Sequence, residues 1–147
     1  MIPLFNENGY LPEGVYDCTI DEVADRFGGF QGSDRRSQLC GKFTEFMREL
    51  KACDFVEAVL VDGSFATSKP DPNDIDVVLV LVASYDFSTD LPPAIYNLLA
   101  QHRVRIRFGF DIVVVESASE NLEQAVAFFQ QVKQRPGVKK GILRIKI

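Results

Sequence analysis

The sequence predicts an α/β fold, α+β in some schemes: a small mixed β-sheet with helices packed mainly on one side. Three observations carry this expectation. Short runs of strong β formers recur at 55–61, 74–82 and 110–115. Between and around them lie segments whose apolar residues repeat at helical spacing. The chain has 147 residues, 46% hydrophobic and 25% charged, which suits one ordinary globular core. It reads as a single domain over 1–147, with an N-terminal arm at 1–32 and a core at 33–147.

In the arm, Asn8-Gly9 and Pro12-Glu13-Gly14 signal turns. Residues 21–27 suit a short helix or turn that Gly28-Gly29 ends, and Leu4, Phe5, Tyr10 and Leu11 are the positions by which the arm docks. Ser33 is a good N-cap, and Asp34 favours the first turn of a helix over 34–52. Leu39, Phe43, Phe46, Met47 and Leu50 form its inner face; Arg35, Arg36, Lys42, Arg48 and Lys51 are assigned to the outer face. The strand at 55–61 runs into a turn at Gly63-Ser64. A short helical turn follows through Thr67, and Pro70 and Pro72 stop it.

A second strand occupies 74–82, then a loop at 84–92 and a helix at 93–101 with proline at its start. Val104, Ile106 and Phe108 alternate with Arg103, Arg105 and Arg107, which predicts a half-exposed strand, with Gly109 allowing a bend. The strand at 110–115 is followed by a helix over 119–134, with Leu122, Val126 and Phe129 on one face. Phe128 and Phe129 together exceed that face, so one of them should pack on the arm or on a partner chain. The last element, 142–147, suits an edge strand.

A net charge of −5 makes whole-surface affinity for nucleic acid unexpected but leaves room for a local basic site. The segment 133–146 holds six basic residues and no acid. It is either a solvated strand end or a site for RNA, an acidic partner or a phosphate. The longest apolar run, 77–83, is too short to cross a bilayer, and the N-terminus lacks the basic start and apolar stretch of a signal peptide. Cys18, Cys40 and Cys53 are odd in number and fit no zinc or redox spacing. The expectation is a reduced cytoplasmic protein with no membrane partner. A single His102 removes mechanisms that need paired histidines.

The chemistry concentrates between Val61 and Val77. Asp74 and Asp76 fall two apart on one strand and share a face, while Ile75 and Val77 point into the core. Two adjacent carboxylates repel unless a divalent cation lies between them, and oxygen-only ligands favour Mg²⁺ or Mn²⁺. Asp111 interrupts the apolar run 108–115 and can join them if its strand lies alongside. Two such metals suit in-line phosphoryl transfer. Gly63 lets a phosphate approach the backbone, and the Ser64 hydroxyl can bind its oxygens. The plainer alternatives are solvated acids at a strand start and an Asp111 that pairs with Arg105 or Arg107. The three arginines themselves are either a wet face or a positive wall beside the substrate.

Gly-Ser, this spacer, Asp-Ile-Asp-Val and a later Asp together resemble the nucleotidyltransferase superfamily of the DNA polymerase β type, over roughly 56–115. The whole chain is similar to short, poorly characterised bacterial nucleotidyltransferase-like proteins. The resemblance implies that Asp74 and Asp76 hold the metals bridging a nucleoside triphosphate. Asp111 would share the metal that activates an acceptor hydroxyl, and Ser64 would contact the β/γ-phosphates. Thr67 stands where many small members carry arginine, and Lys69 could supply that charge. Asp62 stands where many members have an apolar residue. The implied activity is metal-dependent transfer of a nucleoside monophosphate from NTP to a protein or RNA hydroxyl, releasing pyrophosphate, with a partner subunit as one way to complete the site; in that activity the basic segment 133–146 is expected to serve the acceptor and not the nucleotide. The alternative is a non-catalytic or antitoxin-like module in a toxin–antitoxin or phage-defence system.

Overall fold

The computed structural model describes residues 2–29, 34–70, 72, 75–83, 86, 90–132 and 135–147. The elements run β1 (Gly14–Cys18), α1 (Ile20–Phe27), α2 (Asp34–Leu50), β2 (Val56–Asp62), a 3-10 turn (Ser64–Ala66) and β3 (Asp76–Leu81). They continue with α3 (Pro93–Leu99), α4 (Gln101–Phe108), β4 (Asp111–Glu116), α5 (Glu120–Phe129) and β5 (Gly141–Lys146). The five strands form one mixed sheet in the order β1-β5-β2-β3-β4. The outer pairs β1/β5 and β3/β4 are parallel; β2 is antiparallel to both of its neighbours.

Strand alternation sorts the core into two layers. Val59, Val61, Val77, Leu79, Leu81, Ile112, Leu143 and Ile145 face the larger cluster, together with Phe27 of α1, Phe43 and Phe46 of α2, Leu98 of α3 and Phe108 of α4. Ala58, Leu60, Val78, Val80, Val115 and Ile142 face the other way, covered by Leu122, Ala125, Val126 and Phe129 of α5. Among the described residues, four helices thus lie on one side and one on the other, which is the expected α+β arrangement. Among the described residues, no helix is long and apolar enough to cross a membrane.

The ends of the elements follow local chemistry. Thr19 caps α1 in a capping box with Glu22, satisfying two amide donors reciprocally. Ser119 caps α5 through the Leu122 amide. The proposed Ser33 cap of α2 lies outside the described residues. All three cysteines are free thiols. Burial pushes the Cys18 thiol up to about 11, so it is a poor nucleophile at neutral pH.

Three elements differ from the sequence expectation. Residues 101–108 are a helix, not a strand: Val104 and Phe108, four apart, are buried, while Ile106 is 70% exposed. The alternation with arginine was accidental, and Gly109 serves as the left-handed cap of α4, with φ 82°, rather than as a bend between strands. The last strand is not an edge. It lies between β1 and β2, because the arm contributes β1 as the true edge. Finally, α5 stops at Phe129 rather than continuing to 134. Its successor residues turn back instead: Lys140 N–H donates to Gln130 O and Val132 N–H to Val138 O. Phe129 packs into the smaller cluster, and Phe128 is 61% exposed.

The arm docks mainly through its middle. Leu11 is buried and its carbonyl accepts from Gly141 N–H, Phe5 meets Phe27 edge-on, and Leu4 stays exposed. On the opposed β1/β5 rung, Arg144 grips Asp17 with Nε and Nη2 at 2.5 and 3.0 Å. That contact holds the Asp17 carboxyl below its ordinary value. A carboxyl with a depressed folded-state pKa contributes stability above its unfolded value, and loses it as pH falls through the folded one. Asp17→Asn should therefore lower the melting temperature by a few degrees at pH 7. The gap to wild type should close below the ordinary value of 3.8. A pH-independent gap would show that the charge on Asp17 is irrelevant.

Candidate functional site

One end of the sheet gathers most of the sequence motif. β2 runs out through Asp62 into Gly63, and β3 starts at Asp76, antiparallel and directly opposite Asp62. β4 starts at Asp111, parallel to β3 and opposite Asp76. Asp62, Asp76 and Asp111 therefore share one rung across three adjacent strands, on the α5 face. Neighbouring strands are about 4.8 Å apart, so these carboxylates spring from adjacent backbones. Asp74 lies outside the described residues. Among those described, no three His, Cys, Asp or Glu side chains form a group of metal-binding size.

The loop after β2 has a fixed shape. Gly63 has φ 88° and ψ −177°, a region that side-chain-bearing residues avoid, which explains glycine at that position. Ser64–Ala66 make one 3-10 turn, closed by Ala66 N–H to Gly63 O and Thr67 N–H to Ser64 O. The Thr67 hydroxyl donates to Ser64 O at 2.6 Å and accepts from Lys69 N–H at 3.2 Å. Thr67 thus shapes the loop from within. The arm closes over the outside, with Ser68 N–H donating to Gly9 O and Tyr10 bridging Thr67.

Arg36 anchors this loop, and the sequence reading missed it by assigning it to the outer face of α2. Its side chain is fully buried. Nε donates to Lys69 O at 3.0 Å; Nη1 donates to Phe27 O at 3.2 Å and Phe65 O at 2.8 Å. Nη2 donates to Thr67 O at 2.5 Å and Lys69 O at 2.6 Å. Desolvation lowers its pKa to about 10, which still leaves it charged at neutral pH. A signal was present: Arg36 precedes Leu39 by three and Phe43 by seven, so it lies on the apolar stripe itself.

A cleft of about 960 Å³ opens beside the loop. Gly63, Ser64, Thr67, Lys69 and Asp76 line one side. The other side is formed by Phe128, Phe129 and the turn that carries Arg135, Lys139 and Lys140. Asp62 sits at the junction, 6% exposed, with Lys140 Nζ at 3.0 Å. Asp111 is not among the lining residues; it is half-exposed and paired with Arg105. Arg107 reaches Glu49 of α2 at 2.7 Å. Two of the three arginines expected as a wall are thus committed to ion pairs on the helical side.

The basic C-terminal segment is likewise not uncompensated. Lys139 meets Glu13 at 3.6 Å, Lys140 meets Asp62, and Arg144 meets Asp17. The acids come from parts of the chain distant in sequence, because β5 inserts between β1 and β2.

The fold and cleft define a small mixed-sheet α+β protein with a cleft of mixed polar and apolar lining at one sheet end. The chain belongs to the family of unknown function DUF6932, whose profile matches residues 3–146. No curated protein and no solved structure matches it.

Truncating Arg36 leaves several buried carbonyls without their donor, at about 1–3 kcal/mol each. For a chain of this size each kcal/mol shifts melting by roughly 2–4 °C. Arg36→Met should therefore lower the melting temperature by about 10 °C or more. Arg36→Lys should recover only part of the loss, because an ammonium lacks the planar fork. Melting of Arg36→Met at the wild-type temperature would remove Arg36 as the anchor.

Proposed function

We propose that the protein is a metal-dependent nucleotidyltransferase, moving a nucleoside monophosphate from NTP to a hydroxyl of a protein or RNA acceptor. The observation that carries this reading is the meeting, at one sheet end, of the Gly63-Ser64 turn with Asp76 and with Asp111 on the adjacent strand. Their donor chemistry fits Mg²⁺ or Mn²⁺, with Asp74 as the further ligand that the resemblance implies. Bound metal would supply Lewis-acid stabilisation of charge on the phosphate oxygens.

The residues divide the remaining work. Gly63 allows phosphate close to the backbone, and the Ser64 hydroxyl donates to a phosphate oxygen. Lys69, exposed at the cleft margin, adds charge. Asp111 accepts the proton of the acceptor hydroxyl as its oxygen bonds to the α-phosphorus and pyrophosphate departs. Arg105 must first release Asp111; both side chains are substantially exposed, so that pair is a weak one.

The Arg105–Asp111 pair also favours the second reading, a nucleotide-binding module without transfer. Labelled NTPs with Mg²⁺, this protein and total cell extract separate the two: a labelled acceptor supports transfer, and binding without labelling supports the module. Asp76→Asn should strongly weaken Mg²⁺-dependent NTP binding in calorimetry; equal binding would sink the site. Ser64→Ala should melt within a few degrees of wild type and slow single-turnover transfer roughly ten- to a hundredfold. Transfer at the wild-type rate would reduce Gly63-Ser64 to a turn.

A further inference from the structure

We propose that the far wall of the cleft is the other half of a nucleoside triphosphate site, with the base stacked on Phe128 and the phosphates held by Lys140. The proposal rests on the nucleotidyltransferase reading for the Ser64 side of the cleft. It assigns a role to residues outside the motif, and it moves the basic C-terminal segment from the acceptor to the nucleotide.

Lys140 is placed for this by the fold. It precedes β5 by one residue, and side-chain alternation through Ile142 directs it to the α5 face, the face of Asp62 and Asp76. Its side chain is 14% exposed, and its ammonium lies 3.0 Å from Asp62 Oδ1, one residue before the Gly63-Ser64 turn. An ammonium this poorly hydrated has already lost most of its water, so a phosphate oxygen need displace little solvent to reach it. Asp62 holds it at the cleft in the absence of an anion. The Thr67 hydroxyl is turned into the loop, toward Ser64 O. Lys140 supplies a cation from the opposite wall.

Phe128 provides the apolar half. Phe128 is 61% exposed at the cleft, while its neighbour Phe129 is packed. The two rings meet edge to face, with centroids 5.2 Å apart and planes at 82°, so Phe129 braces Phe128 while leaving much of its surface open. An open aromatic face beside cations is the combination that binds base and phosphate together. The cleft volume, about 960 Å³, accommodates a whole nucleotide.

Calorimetry on the full chain tests this with each of the four ribonucleoside triphosphates and with inorganic tripolyphosphate, all with Mg²⁺. Phe128→Ala should weaken the preferred nucleotide at least about fivefold and tripolyphosphate less than about twofold. Lys140→Gln should weaken both about ten- to a hundredfold. If Lys140→Gln does not fold with Asp62 left behind, the double variant Asp62→Asn/Lys140→Gln removes both charges, and the same loss is expected. Arg48→Gln, on the exposed face of α2, controls for charge. Wild-type nucleotide affinity in the Phe128 and Lys140 variants overturns the proposal, as does an equal loss of nucleotide and tripolyphosphate in Phe128→Ala. Nucleotide binding that depends on Phe128 and Lys140 but on neither Mg²⁺ nor Asp76 upholds it and sinks the catalytic reading. Failure of the wild type to bind any of the four nucleotides overturns both.

Discussion

The guanidinium of Arg36 is the constraint on which the cleft depends. Leaving β2, the chain turns sharply at Gly63 into one 3-10 turn, and the carbonyls from there to Lys69 draw donors from outside the sheet. Those of Phe65, Thr67 and Lys69 turn inward, where an unpartnered carbonyl is costly. A planar group with five donors meets several of them from one point, and the same fork reaches Phe27 at the end of α1. The loop therefore has one shape, fixed by a residue on another element. The proposed phosphate binding would profit from that: an anion gains from donors already in position and loses if it must order them.

The sheet supplies the second constraint. Placing β2 antiparallel to β3 brings the strand that enters the turn and the strand that leaves it to the same sheet end. Placing β4 parallel to β3 brings Asp111 to that end as well, by way of α3 and α4. Three acids then share a rung, and like charges at that spacing need compensation. The structure provides it from both flanks: Lys140 at Asp62 and Arg105 at Asp111. Asp76, between them, faces the cleft.

The two flanks differ in a way that matters for chemistry. The Lys140–Asp62 pair is nearly shielded from solvent; Arg105–Asp111 is open to water and exchangeable. One side of the rung is shielded, the other is open to exchange with solvent. The proposed transfer would use that asymmetry, since one substrate is to be held while a second enters.

Much of this was legible in the sequence. The β-former runs, the amphipathic stripe of α2, the proline stop after the turn and the Gly63-Ser64 to Asp76 spacing depend on local sterics and periodicity, and these act within one element. The strand misread at 103–108 shows where such reasoning fails: alternating arginines mimic period two, and only packing of Val104 and Phe108 against α2 and β4 decides for a helix. Arg36 was misplaced because a charge is normally solvated, and its partners lie about thirty residues away. The edge position of β1 and the insertion of β5 were hidden for the same reason. Strand order, the pairing of Lys140 with Asp62 and the aromatic wall of the cleft depend on contacts between segments distant in the chain. Sequence determined the elements and the motif. Tertiary structure alone decided which charges meet, because burial and partner choice are properties of the assembled core.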